Sequence, residues 1–204
     1  EYRLDVRSQE PRTPSDGDGN GSTSGAIDIN NNTSVEGRIG YGDHYLARDE
    51  YDYYRIQVVE DRDFEFEVSN ISPDGFGCLS GLRVRDAFDG EISNSISSCN
   101  DGRSLKLNLG AGTYYVVVEA GNYDVDTAEY RLTVASSTPQ TVSDPTGNGG
   151  TAGATATGNN SIVEGRIGYG DHLGSRDSED YYRLTVNEDL DFEFEVVNIS
   201  PSQS

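Results

Sequence analysis

The sequence has no methionine, no tryptophan, two histidines, two cysteines and a single lysine, Lys106, in 204 residues. With no CxxC pair and no Cys/His cluster, there is nothing from which to build a zinc centre. No apolar run approaches the ~20 residues that span a bilayer, so no membrane insertion is expected. Helical periodicity is missing as well, since no stretch of helix length is amphipathic at a 3.6-residue repeat. Positive charge is scarce: 36 acidic residues face 15 basic ones, for a net charge of −21. A surface this negative repels phosphate backbones and anionic lipid head groups, which argues against nucleic-acid and membrane partners. A Lys-poor, Asp/Glu-rich composition suits either a high-salt medium or a calcium-rich extracellular one.

What is present is repetition. The decapeptide from Val35 to His44 returns unchanged from Val163 to His172, 163 − 35 = 128 residues later. Asp63-Phe-Glu-Phe-Glu-Val68 returns at Asp191–Val196, and Glu1-Tyr-Arg-Leu4 returns at Glu129–Leu132, both in the same register. The chain therefore reads as a piece of a longer array of one module. Residues 1–7 are read as the last strand of a preceding repeat, 8–33 as a linker, 34–135 as a complete domain, 136–160 as a second linker, and 161–204 as the front half of the next repeat. Both linkers are rich in Gly, Ser, Thr, Asn and Asp, and a flexible coil of that length spans roughly 25–30 Å.

Between the linkers the hydrophobic period is two. Tyr54, Ile56 and Val58 oppose Tyr53, Arg55 and Gln57; Phe64, Phe66 and Val68 oppose Asp63, Glu65 and Glu67; Leu105, Leu107 and Leu109 alternate with Lys106 and Asn108. Further strands are expected at Val35–Ile39, Leu82–Arg85, Thr113–Glu119 and Ala128–Val134. Tyr114–Val118 is apolar on both faces, as a central strand covered on both sides requires. Turn signals at Asp74-Gly75, Asp89-Gly90, Asp101-Gly102 and Gly110-Ala-Gly112 separate the runs. Seven or eight short strands in about 100 residues predict an all-β, antiparallel β-sandwich with a jelly-roll or Greek-key path.

Several phrases then stand in order: Gly37-Arg-Ile39, Asp49-Glu-Tyr-Asp-Tyr-Tyr-Arg-Ile56, Phe64–Val68, Leu82-Arg-Val84, Leu107-Asn-Leu-Gly-Ala-Gly-Thr-Tyr-Tyr-Val116 and Tyr130-Arg-Leu132. Together they resemble the bacterial pre-peptidase C-terminal domain family, whose relatives include the collagen-binding domains of secreted collagenases. The resemblance covers Ser34–Ala135 and the front of the next unit. It implies a jelly-roll-like sandwich that is secreted, non-catalytic and often appended to extracellular peptidases, with calcium bound in some members where linker meets sandwich. This chain departs from the usual arrangement in its long acidic linkers between repeated modules.

Calcium is the ligand the residues best support, because a hard cation needs six to eight oxygens and carboxylates cluster here. Asp49 and Asp52, repeated as Asp177 and Asp180, precede a strand where related domains place metal ligands; Glu36 and Asp43 are expected nearby. The alternative is a solvated acidic loop. Asp16, Asp18 and Asn20 imitate the first half of an EF-hand loop, but Ile27 stands where its bidentate glutamate belongs, so a flexible linker is the better reading there. Cys78 and Cys99, with 20 residues between them, are expected to form a disulfide in an oxidising compartment rather than remain buried thiols.

His44 and His172 each follow an aspartate, yet no nucleophile or third group accompanies them, so they are read as loop histidines and no enzyme is expected. Tyr41, Tyr45, Tyr51 and Tyr123 fall in predicted loops and cap the sandwich or stack on a polymer. Six N-x-S/T sequons, at Asn20, Asn31, Asn32, Asn70, Asn159 and Asn198, are what Asn/Ser-rich segments generate by chance. The reading that results is a secreted or cell-surface tandem-repeat protein, structural or adhesive, stiffened by calcium, with neighbouring copies or an extracellular polymer as partners and filament formation as a variant. The alternative is an accessory substrate-binding module of a secreted peptidase or other hydrolase.

Overall fold

The computed structural model describes residues 3, 19–41, 48–72, 78–100, 102–120, 127–139, 148–170 and 176–199. Strands form where side chains alternate. They are β1 (Ile27–Ile29), β2 (Thr33–Ile39), β3 (Tyr51–Val58), β4 (Arg62–Asn70), β5 (Leu79–Asp86), β6 (Glu91–Asn100), β7 (Gly102–Leu109), β8 (Gly112–Ala120), β9 (Ala128–Ser137), β10 (Thr155–Thr157) and β11 (Tyr182–Leu184). No helix occurs among the described residues, and none is therefore long and apolar enough to cross a membrane.

β1 to β9 make a sandwich of two sheets, ordered β1-β3-β8-β5-β6 and β2-β9-β4-β7. All pairings within it are antiparallel except the short parallel pairing of β1 with β3. The chain crosses from one sheet to the other at every connection but β5 to β6, in place of a meander. That one hairpin turns at Asp86–Gly90: the buried Asp86 carboxylate accepts the amides of Phe88 and Gly90, each at 2.8 Å, and Asp89 takes a φ of 64°. The Asp89-Gly90 turn signal is thus realised, because a short acidic side chain closes such a turn on its own backbone.

The faces fall as alternation dictates. Tyr54, Ile56 and Val58 of β3 and Phe64, Phe66 and Val68 of β4 meet in one core with Leu105, Leu109, Val116, Val118, Tyr130 and Leu132. Phe64 and Phe66 stack with ring centroids 5.4 Å apart. β8 lies in the middle of its sheet with a second apolar face, where Val117 and Tyr115 pack with Tyr53 under Ala26. The cover for that outer face comes from the segment read as linker 8–33, which also carries β1. Linker 136–160 likewise carries β10, which pairs in parallel with β11. Each segment read as a linker holds a short strand: β1 docks on β3 and β10 on β11. β6 was missed as well, because Glu91-Ile-Ser-Asn-Ser-Ile-Ser-Ser is too poor in β-branched and aromatic residues to signal a strand, and its edge position tolerates that.

The described residues of 161–199 form no second sandwich. Ile162, Phe194, Val196 and Val197 are exposed there, as expected of apolar residues without counterparts of Gly77–Ala128 to cover them. Phe66, with 0% exposure, is expected to cost about 3–5 kcal/mol when replaced by alanine. The exposed Phe88 is expected to change stability by no more than about 0.5 kcal/mol. Urea unfolding midpoints of F66A and F88A check both, and equal midpoints contradict the core assignment.

Candidate functional site

At the head of β3, Asp49 and Asp52 lie next to Asn20, the described residue of the second cluster that the sequence offered. β3 is apolar inward at its even positions, and Asp52 is the first of them, so its carboxylate points into the end of the core and is fully buried. It survives there because a phenol meets it: Tyr130 of β9 donates to Asp52 Oδ2 at 2.5 Å. Tyr130 and Tyr54 hydroxyls lie 2.7 Å apart. Tyr130 has one proton and gives it to Asp52, so Tyr54 is the donor to Tyr130. Burial, then the Asp52 carboxylate and Tyr54, push the Tyr130 phenol well above its ordinary range and keep it a donor. Gly37 sits over this chain of groups, where a Cβ would lie 2.5 Å from the Tyr130 hydroxyl. Only glycine fits.

Asp49 lies just before β3 and ties down the end of β2 through its backbone: Gly40 N–H donates to Asp49 O at 2.6 Å and Asp49 N–H to Tyr41 O at 3.2 Å. Asn20 arrives from the other side. Tyr53 N–H donates to Asn20 O at 2.9 Å, so the linker loop is stapled to the residue after Asp52. The Asn20 side chain is 2% exposed, and neither its Oδ1 nor its Nδ2 has a hydrogen-bond partner. A buried amide left this way costs about 1–3 kcal/mol.

The same joint recurs 128 residues on. Tyr181 N–H donates to Asn148 O at 2.9 Å, Gly168 N–H to Asp177 O at 2.5 Å, and Asp177 N–H to Tyr169 O at 2.9 Å. Asn148 is buried like Asn20, and Asp180 stands where Asp52 does in the first unit.

Among the described residues no three His, Cys, Asp or Glu side chains gather into a metal-holding group. Asp16, Asp18, Asp43, His44, Tyr45, Tyr123 and His172 lie outside the described residues. Glu36 is not part of the joint; it pairs with Arg131 across β2 and β9 at 2.6 Å. Tyr41 and Tyr51 are partly exposed at the same end of the sandwich. Cys78 is buried just before β5 and is not a free thiol, while the Cys99 side chain lies outside the described residues. The buried Asp52–Tyr130–Tyr54 chain escaped sequence reasoning. Its one signal was an aspartate at an inward position of an otherwise apolar strand face.

No family model matches the sequence, and no curated protein matches it. Among solved structures the chain is similar to the pre-peptidase C-terminal domain of collagenase from Bacillus anthracis, seen in a crystal structure at 1.0 Å. The identity is 21%, the match covers 61% of this chain and 99% of that chain, and the TM-score is 0.42.

Removing the donor to a buried carboxylate is worse than removing a neutral hydroxyl pair. Tyr130→Phe is expected to destabilise by about 1.5–3 kcal/mol, and Tyr54→Phe by about 0.5–1.5 kcal/mol. Denaturant unfolding of the two variants tests that order, and a harmless Y130F contradicts the assignment of the donor.

Proposed function

We propose that the chain belongs to a non-catalytic extracellular array in which β-sandwich modules act as structural or adhesive spacers, and that calcium closes the joint between each linker and its sandwich. The observation that carries this reading is the recurrence of that joint at Asn20/Tyr53 and Asn148/Tyr181, with the same backbone hydrogen bond at 2.9 Å in both places. A joint built twice to one pattern suits a repeated mechanical unit better than a single binding site.

The residues present fit calcium. Asn20 offers a buried, unpartnered amide oxygen, and hard cations are held by such oxygens together with carboxylates. Asp49 and Asp52 would contribute from the head of β3, with Asp16 and Asp18 from the linker; Asp177, Asp180 and Asn148 repeat Asp49, Asp52 and Asn20, whereas Thr146 stands where Asp18 does. A bound cation would neutralise carboxylates in a chain of net charge −21 and hold the linker against the sandwich.

An oxidised Cys78–Cys99 pair belongs to the same proposal. β5 and β6 are hydrogen-bonded neighbours with Leu79 opposite Asn100, which brings the two cysteine positions to one end of the pair. In an exported protein, closing this loop would stabilise by ~3 kcal/mol in the chain-entropy picture.

Calcium at 100 times its dissociation constant is expected to stabilise the module by about 2.7 kcal/mol, read as a rise in melting temperature that a chelator reverses. Asn20→Ala is expected to shrink that rise. An identical melting temperature in calcium and in sodium chloride of equal ionic strength contradicts the calcium part, and a steady rise with molar salt instead points to a high-salt protein. Alkylation of the unfolded, unreduced chain is expected to modify no cysteine; two modified thiols overturn the disulfide. Selective retention on an insoluble polymer, with no further 128-residue units in the parent chain, would favour the accessory-module alternative.

A further inference from the structure

The repeated Gly-Arg-Ile-Gly-Tyr-Gly runs from the end of β2 into the turn after it in its first copy, and its second copy, outside any strand, is seated on the first sandwich. Arg166 donates to the Asp61 carboxylate at 2.5 Å, the two side chains being 14% and 29% exposed. The Tyr169 hydroxyl donates to Asp63, and the Arg166 guanidinium lies 4.7 Å from the centre of the Tyr169 ring. Arg176 donates to the carbonyl of Asn108 at 2.9 Å. The backbones touch at Gly110 and Gly170, joined by an N–H···O bond of 3.4 Å, with the buried Tyr114 hydroxyl 2.7 Å from Gly170 O. Burial, then Asp63, raise the Tyr169 phenol far beyond its ordinary value, as befits a covered donor.

The first copy has the same residues and the same turn. Gly40 and Gly168 both take left-handed φ values, 83° and 93°, and both close the same pair of hydrogen bonds, to Asp49 and to Asp177. Arg38, Tyr41 and Arg48 stand where Arg166, Tyr169 and Arg176 stand, with Arg38 over the Tyr41 ring at 5.3 Å. Residues 161–170 make this turn without a counterpart of β2, and the segment that bears it acts as a clip.

The two partners sit at opposite ends of a module. The clip hangs from the head of β3, whereas Asp61 and Asp63 lie at the β3–β4 turn beside Asn108 and Gly110 at the β7–β8 turn, because β4 and β7 pair Asp63 with Asn108. β3 has eight residues, which separates the ends by roughly 26 Å. We infer that the clip of each repeat plugs into the Asp61/Asp63/Asn108/Gly110 socket of the repeat before it, so that modules stack end to end in one fixed orientation. This rests on the tandem-array reading and deepens it. Such a contact is heterologous and does not close on itself, which is the geometry of a filament.

The chemistry fits a chain that otherwise repels itself. Two of its few cations meet the socket, one on a carboxylate and one on a carbonyl, so local complementarity offsets the long-range repulsion. The tether between repeats keeps the clip at roughly millimolar effective concentration, so a modest contact is enough.

Backbone ¹⁵N relaxation of the full chain tests the joint. Amides 162–170 are expected to share the order parameters of the sandwich, about 0.85. In Gly110→Ala the new Cβ would meet Gly170 N at 2.8 Å, and those amides are expected to fall below about 0.6 while the melting temperature of the sandwich holds. Asp61→Arg is expected to release the clip and Asp61→Arg/Arg166→Asp to restore it, which a folding defect does not do. Clip amides already below about 0.6 in the unsubstituted chain, or unmoved by both G110A and D61R, overturn the joint. The array would then be a flexible string of spacers whose response to calcium stands untouched.

Discussion

The central strand β8 must be covered on both faces, and much of the molecule follows from that. Val116 and Val117 are neighbours in sequence, point opposite ways and are both fully buried. Val116 is covered by the second sheet, which any sandwich supplies. Val117 needs something else, and receives the linker through Ala26, Tyr53 and Tyr115. Burying a valine contributes about 1.5 kcal/mol or more, which offsets part of the roughly 1–2 kcal/mol per residue that ordering a Gly/Ser-rich segment costs; the β1–β3 pairing and the Tyr53–Asn20 hydrogen bond act in the same direction.

Once the linker lies on that face, its course is set. β1 adds to the sheet beside β3, and Arg55 clamps Asp28 through two hydrogen bonds at 2.5 and 2.7 Å. The pair is exposed and worth little energetically, but it fixes register. Asn20 is thereby delivered to Tyr53, next to Asp52, whose carboxylate faces inward. The head of the sandwich is thus a consequence of covering β8, and it brings together linker and sheet residues that no local pattern connects.

The opposite end of the module follows a different logic. There the turns bring Asp61, Asp63, Asn108 and Gly110 into one small surface, acidic at its edge and open at the glycine. A basic, aromatic clip with a glycine backbone is its complement in charge and in shape. The two ends are joined by the strands of the two sheets.

Much of the fold was legible. Alternation identified the inward faces of β3, β4 and β7 residue by residue, and the doubly apolar Tyr114–Val118 announced the central strand, because the direction of a strand side chain is a local property with a period of two. β6 was illegible because serines and asparagines carry little such signal, and β1 because three residues are too few to show a period. The sequence by itself determined the class of fold, the oily face of each strand and the 128-residue spacing of the module. Only the tertiary structure decided which strand lies beside which, that Asp52 is a buried acceptor and not a loop residue, that Asn20 and Tyr53 are neighbours, and that Arg166 finds Asp61. Those are contacts between residues far apart in the chain, selected by competition among all possible pairings for burial and charge, and no window along the sequence contains that competition.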